Sequence, residues 1–238
     1  MRNPQMLRIA AGALAIATMF TTACTPDATT TPVTTPVYAK AQFVHVAPEA
    51  PGTIVSVDGK NINTDSLTYL KLINYVDVDV TAAGKRIIKF DAKTGNLTTD
   101  SLAMNKDVYY SFFAYSDSGK TRTKIASDDL ATPTTGKAKL RISHFISDAL
   151  VNVDVEAVAP GQSATTRNDF AGLKFKDVTS FIELPAGSYD LKVKSSYNGQ
   201  PLFLIPTVTF DAGKSYTLVA RGYVQKANAS GVFIINNK

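Results

Sequence analysis

From residue 39 onward the apolar positions recur every second residue. Val76-Asp77-Val78-Asp79-Val80, Val151-Asn152-Val153-Asp154-Val155-Glu156 and Tyr189-Asp190-Leu191-Lys192-Val193-Lys194 alternate strictly. Such alternation turns one set of side chains into a core and the other into water, as in half-buried antiparallel strands. Past the N-terminal stretch, no window of a dozen residues keeps the i, i+3, i+4, i+7 stripe of an amphipathic helix. Turn residues punctuate the runs at Asp58-Gly59, Gly95-Asn96, Asn198-Gly199 and Asp211-Ala212-Gly213. Short strands cut by such turns predict an all-β chain, a sandwich or barrel with almost no helix.

The pattern occurs twice. Phe43-Val44-His45-Val46-Ala47-Pro48-Glu49-Ala50 aligns with Ile142-Ser143-His144-Phe145-Ile146-Ser147-Asp148-Ala149 at a separation of 99. Ala83-Gly84 aligns with Ala186-Gly187 at 103, and Tyr110-Ser111-Phe112-Phe113-Ala114 with Tyr216-Thr217-Leu218-Val219-Ala220 at 106. A drift of a few residues is what short loop insertions in a duplicated module produce. The expected modules are 39–130 and 138–238, with 131–137 (ATPTTGK) as a linker. The apolar run Gly231-Val232-Phe233-Ile234-Ile235 should close the second module where Arg122-Thr123-Lys124-Ile125-Ala126 closes the first.

The first 38 residues follow another rule. Arg2 and Arg8 precede an apolar run of 12 residues, Ile9 to Phe20, and then Thr21-Thr22-Ala23-Cys24. A basic start, a short apolar stretch and small residues describe a secretory signal peptide over 1–23. About 20 apolar residues are needed to cross a bilayer as a helix, and this run is too short. Cys24 is the only cysteine and resembles the lipidated residue of a bacterial lipobox, although Thr21 stands where an aliphatic residue is usual. Residues 24–38 are rich in Thr and Pro and read as an extended tether.

The His45-Val46-Ala47-Pro48-Glu49-Ala50-Pro51 stretch and the Leu184-Pro185-Ala186-Gly187-Ser188-Tyr189 turn resemble a bacterial domain-of-unknown-function family, number 4397. The second copy departs from its pattern at Ser147-Asp148-Ala149-Leu150, and the first at Thr81-Ala82. The resemblance implies two tandem immunoglobulin-like antiparallel β-sandwich domains in an envelope lipoprotein of the kind found in Bacteroidota. It implies no settled biochemical activity.

Composition narrows the chemistry. With 25 basic and 20 acidic residues, of which Arg2 and Arg8 fall in the leader, the remaining balance of 23 against 20 is too weak for a nucleic-acid scaffold. Two histidines, one cysteine and no tryptophan leave little for a metal centre, a disulfide framework or a haem site, so no cofactor and no metal are expected. His45 and His144 hold equivalent places and read as one structural need met twice. Asp77 and Asp79 share a strand face, which suits a carboxylate pair of a hydrolase or a solvated edge, and the second copy lacks the pair. Asp128-Asp129 reads as a solvated acidic loop. No phosphate loop and no Gly-x-Ser-x-Gly elbow is present. The densest aromatic cluster spans residues 109–115. Tyr110 and Phe112 face one side of the strand and Tyr109, Phe113 and Tyr115 the other; one set fills the core, and Tyr109, Phe113 and Tyr115 are the candidate ligand surface, with packing under a loop as the alternative. Asp65-Ser66-Leu67 and Asp100-Ser101-Leu102 resemble the O-glycosylation acceptor pattern of Bacteroidota.

These readings predict a non-enzymatic lipoprotein of the bacterial envelope, held by lipid on Cys24. The outer membrane is the expected site, with its face left open. Its two modules would act in binding, adhesion or display, with envelope proteins or glycans as partners. Two alternatives stay open at this level: a glycan-binding component of polysaccharide uptake, and a carboxylate-dependent hydrolase.

Overall fold

A computed structural model describes residues 34–148, 152–158, 170–225 and 230–238. The first module holds β1 (Tyr38–His45), β2 (Ile54–Val57), β3 (Lys60–Asn61), β4 (Lys71–Asp79), β5 (Arg86–Ala92), β6 (Gly95–Leu102), β7 (Tyr109–Asp117) and β8 (Lys120–Asp128). The second holds β9 (Lys137–Ile146), β10 (Val153–Val158), β11 (Ile182–Pro185), β12 (Gly187–Ser195), β13 (Pro201–Phe210), β14 (Ser215–Gly222) and β15 (Gly231–Asn236). Each module is a two-sheet sandwich. In the first, the sheet β4-β1-β7-β8 covers β3-β2-β5-β6; in the second, β11-β9-β14-β15 covers β10-β12-β13.

The predicted repeat is visible in the pairing. β1 lies between β4 and β7 as β9 lies between β11 and β14. The C-terminal apolar run pairs with β14 as β8 pairs with β7, so β15 is the closing strand anticipated from its sequence. One feature departs from an all-antiparallel sandwich: β1 and β7 run parallel, and so do β9 and β14. Parallel neighbours need a long crossover rather than a hairpin, and here most of the module intervenes between the two strands.

Phe43, Phe90 and Phe112 fill the first sandwich, with Phe43 stacked on Phe112 at 5.3 Å and edge-on to Phe90 at 6.2 Å. Leu140, Ile142, Leu191, Val193, Phe210 and Leu218 fill the second. A third apolar cluster joins the two: Val44, Val46, Phe113 and Tyr115 from β1, β7 and the turn after β1 meet Phe145, Val219 and Ile235 from β9, β14 and β15. The two inner sheets are therefore stacked face to face, and the body is four sheets deep.

The stacking also engages the segment that joins the modules. Residues 35–238 form one compact unit. Leu130 is buried, Lys238 Nζ donates to its carbonyl at 3.0 Å, and Thr134 is hydrogen-bonded through N and Oγ1 to Glu183. Strands β1, β7, β9 and β14 are buried along nearly their whole length. A strand covered on both faces loses the in-out contrast that a half-exposed strand displays.

The contact between modules is close to two-fold. Tyr115 of the first module meets Phe175 of the second edge-on at 5.8 Å. In the reciprocal place, Arg221 of the second lies over the ring of Tyr69 of the first, also at 5.8 Å. Tyr115 and Arg221 are repeat-equivalent, as are Tyr69 and Phe175, each pair separated by 106 residues. Reciprocal contacts of this kind define an isologous interface.

Candidate binding surface

At the heart of the inter-module contact the repeat carries different chemistry in its two copies. Gln42, Ser111 and Asp128 in the first correspond to Arg141, Thr217 and Asn237 in the second. Arg141 donates to Asp128 through Nη1 at 2.5 Å, to Ser111 Oγ through Nη2 at 2.8 Å and to Thr217 Oγ1 through Nε at 2.8 Å. Ser111 and Tyr75 donate to the other carboxylate oxygen of Asp128, and Asn237 donates to the Tyr75 hydroxyl at 3.1 Å. The Arg141 and Asp128 side chains are 1% and 0% exposed. Burial, and then the Asp128 charge beside it, push the Tyr75 phenol far above its usual range. Asp128 is thus the reverse of a solvated loop charge. Asp129 does lie outside, where Lys139 reaches it at 2.9 Å.

The same burial corrects the aromatic ligand surface. Phe113 is fully buried and Tyr115 is 6% exposed, both packed on Phe145 of the other module at 5.4 and 5.1 Å. Only Tyr109 is left near a surface, edge-on to Tyr75 at 5.1 Å. Asp77 is exposed and ion-paired with Lys40, while Asp79 accepts the Thr81 amide at 2.8 Å. Neither aspartate lines the two clefts described below. Ser66 and Ser101 are exposed. Cys24 and the leader lie outside the described residues.

His45 and His144 are buried at the ends of β1 and β9, with Tyr69 and Phe175 as repeat-equivalent aromatic neighbours. His45 Nε2 contacts the Pro51 carbonyl at 3.2 Å, and His144 Nδ1 accepts the Ile146 amide at 3.3 Å. An imidazole that accepts a backbone amide is neutral. Burial lowers both pKa values, that of His144 to about 4 against an opposing pull from Asp177. Since the unfolded chain titrates at the ordinary histidine value, it takes up a proton first as pH falls. Stability is accordingly full above about pH 6.5 and is lost progressively toward pH 4, by roughly 3 kcal/mol for His144. Urea unfolding of His144→Gln should be flatter than wild type across that window; an equal slope would show that His144 titrates freely.

The strands also give the body two distinct ends. Tyr38 at the start of β1, the 131–136 segment and Lys238 after β15 gather at one end, tied by the Lys238–Leu130 and Lys139–Asp129 contacts. The opposite end collects the β1–β2 loop and the β5–β6 and β7–β8 hairpins of the first module. At the same end of the second module lie the β12–β13 hairpin and the segment after β14. Lys176 to Asp117 at 2.7 Å and the Arg221–Tyr69 contact bind the modules together at this end. Tyr197, in the β12–β13 hairpin, is 84% exposed, and Val224, after β14, is also exposed.

Two clefts follow this polarity. One, of about 530 Å3, sits at the chain-entry end against Tyr109, Asp129 and Lys238, groups largely engaged in holding the modules together. The other, of about 370 Å3, opens at the loop end. Its walls are Pro48–Pro51, the β5–β6 hairpin and the β7–β8 hairpin, and Tyr223 reaches it from the second module. The Pro48-Glu49-Ala50-Pro51 stretch noted in the sequence is thus part of a cleft wall. Tyr223 carried no signal in the sequence, because only the stacking of modules brings it there.

The family model for a domain of unknown function, DUF4397, matches residues 39–156 and again 150–238. The chain belongs to the DUF4397 family. The first match covers the first sandwich and runs on through β9 into β10, and the second covers the second sandwich from β10 onward. Loose structural likenesses accompany it: the Bacillus anthracis TIE protein (11% identity, 79% of this chain and 34% of that one, TM-score 0.25); a leucine-rich repeat protein from Bacteroides thetaiotaomicron (13%, 77% and 26%, 0.21); and a protein from Bacteroides uniformis described as a cell-adhesion candidate (14%, 85% and 99%, 0.23). This DUF4397 chain spans about a third of the first and a quarter of the second. Likenesses at these TM-scores transfer no function. No curated protein matches the chain.

Proposed function

We propose that this chain is a non-enzymatic lipoprotein of the bacterial envelope that offers the loop end of its two-module body to a partner. The supporting observation is the polarity of that body. The folded chain begins at the end where β1 starts, and loops of both modules converge on the opposite end. Loops on a rigid sandwich are the usual place for recognition. A lipid on Cys24 and the Thr/Pro tether would hold the entry end toward the membrane and leave the loop end free. The fused interface keeps the two loop sets in fixed register, so that they form one surface rather than two separate sites.

Anchoring is tested by Cys24→Ser. The variant should move from the membrane to the soluble fraction and lose labelled fatty acid. If wild type and variant partition alike and neither takes up label, the anchor is not at Cys24. Recognition is tested with glycan arrays and envelope pull-downs, comparing wild type with Tyr197→Ala, an exposed change outside both cores.

A further inference from the structure

We propose that the loop-end cleft binds a saccharide that carries carboxylate groups, a uronic-acid chain being the simplest case. The inference deepens the binding reading above and rests on it for which end of the molecule is free. At about 370 Å3 the cleft falls at the small end of the range of ligand sites. It is preformed: Ser116 Oγ donates to the Pro48 carbonyl at 3.1 Å and ties the β7–β8 hairpin to the β1–β2 loop. Val46 N donates to Ala114 O at 2.8 Å just below. Glu49 takes a left-handed backbone conformation, φ 66°, within that loop, a conformation that packing must hold in place for a residue other than glycine.

The cleft combines three kinds of group. Lys120 and Arg122 lie two apart on β8, so they share a face, and both are exposed and line the cleft. Neither is within ion-pair distance of a described carboxylate; Asp117, opposite Lys120 on the same hairpin and within electrostatic reach of Arg122, is bridged by Lys176. Two cations of this sort suit a carboxylate, and the guanidinium can take it in a bidentate manner. Glu49 lines the same cleft. A carboxylate there disfavours a plain polyanion, but its several lone pairs accept from hydroxyl donors. Tyr223 adds a flat amphipathic ring. An acid group, several hydroxyls and a ring with an apolar face occur together in a uronic acid. An acidic peptide satisfies the cations but brings neither a row of hydroxyls to Glu49 nor a sugar face to Tyr223.

Full-length protein in detergent would be titrated by calorimetry with trigalacturonate, with its methyl ester and with triglutamate. Trigalacturonate should bind and the ester should be weaker by about tenfold, the worth of one charged hydrogen bond. Arg122→Gln should bring a similar loss with an unchanged urea midpoint, since the residue is exposed. Tyr223→Ala should weaken binding and Tyr223→Phe should retain it. Absence of binding by trigalacturonate, or binding indifferent to Arg122→Gln, overturns the proposal. Tighter binding of triglutamate with the same Arg122 dependence also overturns it and reassigns the cleft to peptides. Loss of an array or pull-down partner in Tyr197→Ala, with no response to trigalacturonate, would keep the loop end as a binding surface and reject this ligand.

Discussion

Arg141→Leu is expected to lower the unfolding free energy by roughly 3–5 kcal/mol, and Asp128→Leu by a similar amount. Either change leaves one charge in a place where water does not reach, with its partners still oriented for the missing group. Ser111 loses a donor in the first variant and an acceptor in the second, and Tyr75 loses its acceptor in Asp128→Leu. The double variant should recover much of the loss, since two apolar side chains at a buried ion pair are often tolerated as well as the pair itself. Urea unfolding of the two singles and the double gives the coupling energy directly. A cost below about 1 kcal/mol for each single would match a solvated surface pair and would mean that the inner sheets are not stacked in solution. The asymmetry of this network also sets which module pairs with which. Two first modules face to face would bury two Asp128 carboxylates, and two second modules would bury two Arg141 guanidiniums.

Phe113→Ala should cost about 3–5 kcal/mol, the range for removing a buried aromatic ring. Phe113 meets Phe145 at 5.4 Å and lies under the Arg141 guanidinium at 5.7 Å, so the cavity would open between the modules and beside the ion pair. Were Phe113 part of an exposed ligand platform, the same change would leave stability almost untouched and reduce only binding. The two outcomes are well separated in a urea titration. A sandwich-core control, Phe112→Ala, should be as costly, because Phe112 stacks on Phe43 on the other face of β7. Equal costs at adjacent residues of one strand are the signature of a strand covered on both sides.

The fold was largely written in local pattern. Strict alternation in residues 76–80 and 189–194 named strands β4 and β12, and turn dipeptides such as Asp58-Gly59 placed the hairpins. The separations of 99 and 106 residues identified the duplication, which the pairing of β1 with β7 and of β9 with β14 repeats. Even the closing role of β15 followed from an apolar run that could not be left in water. These features depend on side chains that are near in sequence or on similarity between two segments, and neither requires knowledge of distant contacts.

The stacking of the modules depends on distant contacts, and there the sequence misleads. The interface positions include Gln42, Ser111, Arg141 and Thr217, residue types that ordinarily mark the wet face of a strand. Their polarity is satisfied across the interface and along their own sheets, not by solvent, and no single segment holds enough of the network to show it. Asp128 looks like half of an acidic loop until Arg141, 13 residues on, turns back from another sheet to meet it. The candidate cleft has the same origin. Its Pro48–Pro51 wall was a legible motif, but Tyr223 reaches it from the segment after β14 of the other repeat. Sequence by itself determined the strands, their turns and their duplication, because those follow from backbone geometry and local burial. Tertiary structure alone decided which polar faces were dry and which loops shared an end, because both depend on how two already folded sandwiches meet.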